Sequence, residues 1–295
     1  MDKLLLKQCL LHGSWLAWSL VAWLLWRLRQ PRLRWLALLL LLPSLVFVWA
    51  RFVEPRLLRV QETTLAGTGF DADIVLISDI HQGVYKDRAF LERVVERVNA
   101  LPVQAVAIAG DLTYEPQGRS LDELFSPLAR LRVPVYAVLG NHDQQAPGPD
   151  IDVALRAALR RHGVRIIEGE IAAADGFRWA GLGDRWARKD DAGFLAAAPS
   201  PLPTLVIAHN PDSATDLSPA VARLVLAGHT HGGQIRIPWL YRKVIPSAHG
   251  FDRGEQYVAG AGGTMRVFTT AGVGEIGLPM RLFNPPTIDV LHLRR

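Results

Sequence analysis

Nine side chains able to bind a metal or carry a proton fall in five short stretches, each closing an apolar run. They are Asp79 and His81 in SDIHQG, Asp111 in GDL, Asn141, His142 and Asp143 in GNHD, His209 in AHNPD, and His229 and His231 in GHTHGG. One histidine after a strand is an ordinary structural residue, whereas five such stretches in order form a pattern. Imidazole and carboxylate without sulfur suit borderline divalent cations such as Mn²⁺, Zn²⁺ or Fe. The one cysteine, Cys9, lies in the apolar N-terminal region, so the rest of the chain has neither a thiolate site nor an intramolecular disulfide. Two cations about 4 Å apart need an anionic bridge and terminal ligands on each side, and this set is large enough to supply both. The i, i+2 spacing of Asp79 with His81 and of His229 with His231 leaves two arrangements open. Within a strand such residues share a face, but past its end they can diverge to neighbouring ions.

The elements that must hold these groups are legible in the pattern. Apolar, β-branched runs of strand length occupy 73–78, 103–109, 133–139, 204–208 and 223–227, and each ends in polar and glycine residues. Helical periodicity lies between them, at 87–100 behind Asp87 as N-cap and at 151–162. Strands alternating with helices predict an α/β domain whose ligand crevice lies at the carboxyl ends of the strands. Residues 264–293 read as further strands around a Gly-Pro-rich loop, and no internal repeat is present.

The N-terminus differs in composition. Six of the nine tryptophans lie in the first 50 residues, and residues 1–60 carry nine Lys/Arg against two acids, leaving 24 basic and 26 acidic residues for the remainder. The basic excess therefore belongs to the N-terminus, and nucleic acid is excluded as a partner of the body, since phosphate-backbone binding needs a basic face on the folded domain. Residues 8–26 and 35–50 are apolar stretches of nearly bilayer-spanning length, bracketing RLRQPRLR. The expected organisation is a membrane anchor of two transmembrane helices (1–55), a linker (56–72) and a catalytic domain (73–295). The arginine-dense turn favours an outward-facing body, although the opposite side carries five basic residues of its own.

The ordered set D-x-H, G-D, G-N-H-D, a lone histidine and G-H-x-H resembles the calcineurin-like metallophosphoesterases. GHTHGGQ and GLPMRLFNPPTIDVLHL are similar to the bacterial, membrane-anchored branch, which includes phosphodiesterases and UDP-diacylglucosamine hydrolases. The resemblance implies a two-sheet αββα sandwich and two divalent transition metal ions (Mn, Zn or Fe) per chain. It implies that Asp79, His81 and His231 bind one ion, that Asn141, His209 and His229 bind the other, and that Asp111 bridges. It makes His142 the catalytic histidine facing the scissile bond, with Asp143 as a candidate orienting partner and Gly232-Gly233 as small residues that let backbone and substrate approach closely. The implied reaction is hydrolysis of a phosphodiester or pyrophosphate, of a lipid-linked substrate, by in-line attack of a metal-bridging hydroxide. The implied location is a bacterial inner membrane, crossed twice. The competing reading is a membrane-attached interaction scaffold that kept the fold and lost catalysis. Tyr114 and Ala271 depart from the family, which often has an acid and a nearby arginine there. Arg119, Arg185 and His249 are candidate substrate contacts, while His12, His162 and His292 read as structural.

Overall fold

The computed structural model of the protein describes residues 3–144, 151–174 and 176–295. Three helices come first: α1 (Lys3–Gly13), α2 (Leu16–Arg27) and α3 (Arg34–Val48). α1 and α2 run on as one apolar stretch, Leu4–Arg27, and α3 is prolonged through a π turn and a 3-10 turn to give Arg34–Arg56. Both stretches are long and apolar enough to cross a membrane, and only 11% and 28% of their apolar windows are buried within the chain. A helix apolar on all faces yet uncovered by its own protein needs an apolar solvent.

The body consists of two six-stranded sheets. The first has the order β1-β14-β2-β4-β6-β7. Its strands are β1 (Arg59–Leu65), β2 (Ala72–Ile77), β4 (Ala105–Ala109), β6 (Val135–Val138), β7 (Val164–Ile166) and β14 (Thr287–Leu293). The second, in the order β12-β13-β11-β10-β9-β8, uses β8 (Ile171–Ala174), β9 (Phe177–Gly181), β10 (Thr204–Ile207), β11 (Leu224–Ala227), β12 (Gly254–Gly260) and β13 (Gly263–Thr269). A short parallel pair, β3 (Gln82–Gly83) and β5 (Thr113–Tyr114), joins two of the loops that carry candidate ligands.

Strand alternation explains why the sheets stack. Ile74 and Leu76 of β2 and Ala105, Ala107 and Ala109 of β4 meet Leu205, Ile207, Leu224 and Leu226 from the other sheet in a central core. Val75, Ile77, Val106 and Ile108 point the other way, under Phe90, Leu91, Val94, Val95 and Val98 of helix Arg88–Asn99. That helix begins as its sequence requires, with the Asp87 side chain accepting from Phe90 N at 3.0 Å. The architecture is the expected α/β sandwich of two sheets.

The stretch 56–72, expected as a linker, instead contains β1, which pairs in parallel with β14 from Arg59↔Thr287 to Leu65↔Leu293. β14 in turn runs antiparallel to β2. Arg59 therefore sits at the end of the sheet where β2 finishes, and the two N-terminal helices join the body at the end where the strand-end loops lie.

Candidate metal centre

Those loops are built from unusual backbone. Asp79, His81, Asp111, His229 and His231 all have positive φ, between 51° and 70°, where a side chain larger than glycine is disfavoured. Left-handed residues at the strand ends turn their side chains back over the sheet edge, a local cost typical of functional sites. Gly140 is small for a related reason: a Cβ there would collide with Asp111.

The candidate ligands separate into two groups. In the first, the His81 and His231 rings stack at 5.0 Å with 6° between planes, and their Nε2 atoms face each other at 3.1 Å. Asp79 Oδ1 lies 3.3 Å from His231 Nε2 and 3.9 Å from His81 Nε2. In the second, His209 Nε2 lies 3.1 Å from His229 Nδ1, 3.2 Å from Asn141 Oδ1 and 3.3 Å from Asp111 Oδ2. The same Asp111 Oδ2 is 3.7 Å from His81 Nε2, so this one oxygen stands between the groups. Asp79 and His81 thus converge, while His229 and His231 diverge.

These residues fit a pair of cations. Asp79 Oδ1 is buried and has no hydrogen-bond partner. His81 Nδ1 faces the carbonyl of Thr113 at 3.1 Å and His209 Nδ1 that of Ala109 at 2.8 Å, which places their protons there and directs the Nε2 lone pairs inward. Burial lowers His81 and His229 to about 3 and holds His231 well below the usual imidazole range, keeping all three neutral as metal ligation requires. Burial opposes charge on Asp111 and His209 too, yet their ion pair prevails, holding Asp111 well below and His209 well above their ordinary values, and a cation at His209 Nε2 would take the place of that proton. The His81 and His231 Nε2 atoms, 3.1 Å apart beside Asp79 Oδ1, bring two imidazole nitrogens and a carboxylate oxygen close enough to hold one cation.

His142 is 6% exposed and lines a cleft of about 260 Å³ together with Asp111, Asn141, Trp186, His229 and His231. Its backbone N donates to Asp111 Oδ1 at 2.9 Å, and its ring packs edge-on against His81 and Tyr114. Burial lowers its pKa. Asp143 is not its orienting partner: the carboxylate accepts from Leu112 N, Thr113 N, Thr113 Oγ1 and Gly140 N, tying two ligand loops together. Tyr114 receives a hydrogen bond from Gly277 N at 3.1 Å, and Lys7 of α1 lies 4.2 Å over its ring and pairs with Glu115.

Other candidates lie elsewhere. Arg185 is engaged by Asp190 and Asp216, and Arg119 and His249 are exposed. His162 meets Asp122, and His292 bridges to Asp73. Gly232 leaves room for protein, since a Cβ there would crowd Asn284 and Ala271.

Three supporting residues are not singled out by the sequence, although Arg281 and Asn284 fall within GLPMRLFNPPTIDVLHL. Trp186 packs edge-on against His229 at 4.5 Å. Asn284 Nδ2 donates to the His231 carbonyl at 2.6 Å, and its own N–H is held by Glu54. Arg281, fully buried, fans onto the carbonyls of Ala271, Gly272, Gly274 and Asn284, placing a guanidinium beside Ala271 but within the scaffold.

Two sandwiched sheets with paired His/Asp groups at their strand ends have the make-up of a two-metal hydrolase site. The calcineurin-like phosphoesterase family model matches residues 72–233, and the chain belongs to that family. It is similar to the uncharacterized metallophosphoesterase YkuE of Bacillus subtilis, 28% identical over 83% of this chain and 89% of the relative. It is also similar to the phosphodiesterase YaeI of Escherichia coli, 28% identical over 75% and 81%. A third relative is the UDP-2,3-diacylglucosamine pyrophosphatase LpxG of Chlamydia trachomatis, 26% identical over 69% and 78%.

Proposed function

We propose that the protein hydrolyses a phosphodiester or pyrophosphate bond of a lipid-linked substrate, as a two-pass protein of a bacterial inner membrane. In this reading residues 3–56 are the anchor and the catalytic domain begins with β1. Asp79, His81 and His231 would hold one divalent ion and Asn141, His209 and His229 the other, with the Asp111 carboxylate available to both. The observation that supports this most is the position of that oxygen, 3.3 Å from His209 Nε2 and 3.7 Å from His81 Nε2.

Two such cations, when bound, would supply a water acidified toward neutrality and positive charge against the phosphoryl oxygens. The residues around it do the rest. The Thr113 and Ala109 carbonyls fix the ligand tautomers, so the donor set needs little reorganisation. His142, at the cleft surface, orients the phosphoryl group and, when protonated on its ring, gives that proton to the leaving oxygen. Trp186 shields His229 from water on the cleft side. Mn, Zn and Fe all suit the nitrogen and oxygen set.

A lipid-linked substrate is supported by the junction of the apolar helices with the site end of the sheets and by the similarity to LpxG. The test uses the full chain in detergent, stripped and reloaded with Mn²⁺, Zn²⁺ or Fe²⁺, against a soluble aryl phosphodiester and a lipid-linked pyrophosphate. Hydrolysis of both, with the lipid preferred, is expected. Bound metal without hydrolysis of either would favour the interaction scaffold.

A further inference from the structure

The most exposed aromatic side chains of the body, apart from those in the apolar helices, sit in two neighbouring loops. Trp239 is 85% exposed and Phe283 65%, and both hold positive φ, 67° and 57°. A bulky residue in that backbone region is strained, and here no packing against the protein compensates. Leu240, Val244 and Leu278 are also exposed on these loops. The segments 235–246 and 276–286 contain Arg236, Arg242, Lys243 and Arg281 and no acidic residue.

The loops are fixed to each other and to the end of the second apolar stretch. Arg236 N donates to Leu282 O at 2.9 Å, Gln234 Nε2 to Leu278 O at 3.0 Å, and Arg281 N to Ala50 O at 2.9 Å. The same loops form one wall of the metal cleft through Val244, Ile245, Pro246 and Ile276.

We propose that Trp239, Leu240 and Phe283, flanked by Arg242 and Lys243, form a docking surface that seats in the headgroup region of an anionic bilayer beside the anchor. The metal cleft then opens along the membrane plane. Aromatic and aliphatic side chains rimmed by cations are the composition that binds there, and proximity to the anchor removes the cost of finding the surface. The proposal rests on the lipid-linked reading above and adds the path by which such a substrate arrives.

The test uses the full chain carrying Cys9→Ser, with one environment-sensitive fluorophore on a cysteine at Trp239, at Phe283, or at Ala173 on β8, in nanodiscs of phosphatidylglycerol and phosphatidylcholine. Labels at 239 and 283 are expected to shift to the blue and to be quenched by nitroxide lipids, while the label at 173 is quenched by aqueous iodide. Iodide access at 239 and 283 equal to that at 173 would overturn the proposal. In parallel, Trp239→Ser/Leu240→Ser should slow hydrolysis of a membrane-embedded phosphoester at least ~5-fold and leave a soluble aryl phosphoester unaffected. Equal rates of variant and parent on both substrates would also overturn it. Lipid quenching at both positions with no hydrolysis of any lipid phosphoester by the parent chain would sink the substrate reading and leave the docking surface standing.

Discussion

At the candidate metal centre Asp79 Oδ1, the carboxylate oxygen that faces His231 and His81, is buried without a hydrogen-bond partner. At the seam where the N-terminal helices meet the body, buried charges are matched instead by opposite charges and carbonyls. Arg281 covers four carbonyls, Lys86 pairs with Glu275 at 2.9 Å and reaches the carbonyl of Pro55, and Glu54 receives Trp49 Nε1 and Asn284 N. An unpaired buried group costs stability and is retained where something else will bind it, whereas a paired one serves adhesion. The regions meet at Asn284, held by Glu54 on one side and holding the His231 carbonyl on the other. The end of the second apolar stretch therefore also braces the loop that carries His231.

The sharpest way to break this contrast is at the site. Asp111→Asn should abolish measurable turnover on any phosphoester, because a neutral amide leaves two cations uncompensated. His142→Ala should retain both ions and cost on the order of 10²–10⁴ in rate with a poor leaving group. The loss should shrink with nitrophenolate, which departs without a proton; equal losses on both substrates would assign His142 to charge stabilisation alone. At the seam, Arg281→Met should lower unfolding free energy by about 3–5 kcal/mol in a denaturant titration, since Glu275 and several carbonyls lose their cation. A chain beginning at Leu57 should be about 1–3 kcal/mol less stable than one beginning at Trp49, because the bonds from Glu54, Ala50 and Pro55 are gone. Equal stability of the two would show that the seam adds nothing.

A smaller effect lies away from both regions. Burial raises Asp289 in β14 to about 7, above its unfolded value near 3.8, so the folded state favours the protonated form. Its contribution is full below the unfolded value and is lost as pH rises toward 7, and Asp289→Asn should flatten that part of the stability profile.

The candidate ligands were legible because each follows a short apolar run, so local pattern alone placed Asp79, Asp111, Asn141, His209 and His229 at strand ends. How they divide was not, since spacing leaves i, i+2 pairs free to converge or diverge and only the assembled sheets decide. β1 escaped notice because RVQETTL is an edge strand with mixed burial, whose partner, β14, lies more than two hundred residues away. Asn284 and Arg281 act through hydrogen bonds to loop backbone, Asn284 to the His231 carbonyl and Arg281 to the carbonyls of Ala271, Gly272 and Gly274, which leave no periodic trace. Asp143 was misread because adjacency to His142 in sequence said nothing about where its carboxylate points.

The central claim is that Asp111 joins two metal sites into one centre. Electron paramagnetic resonance of the full chain loaded with Mn²⁺ addresses it directly, with metal content measured on the same sample. The account predicts close to two ions per chain and the spectrum of an exchange-coupled pair about 4 Å apart, lost in Asp111→Asn. Two uncoupled ions, or a coupled pair that survives in Asp111→Asn, would contradict it.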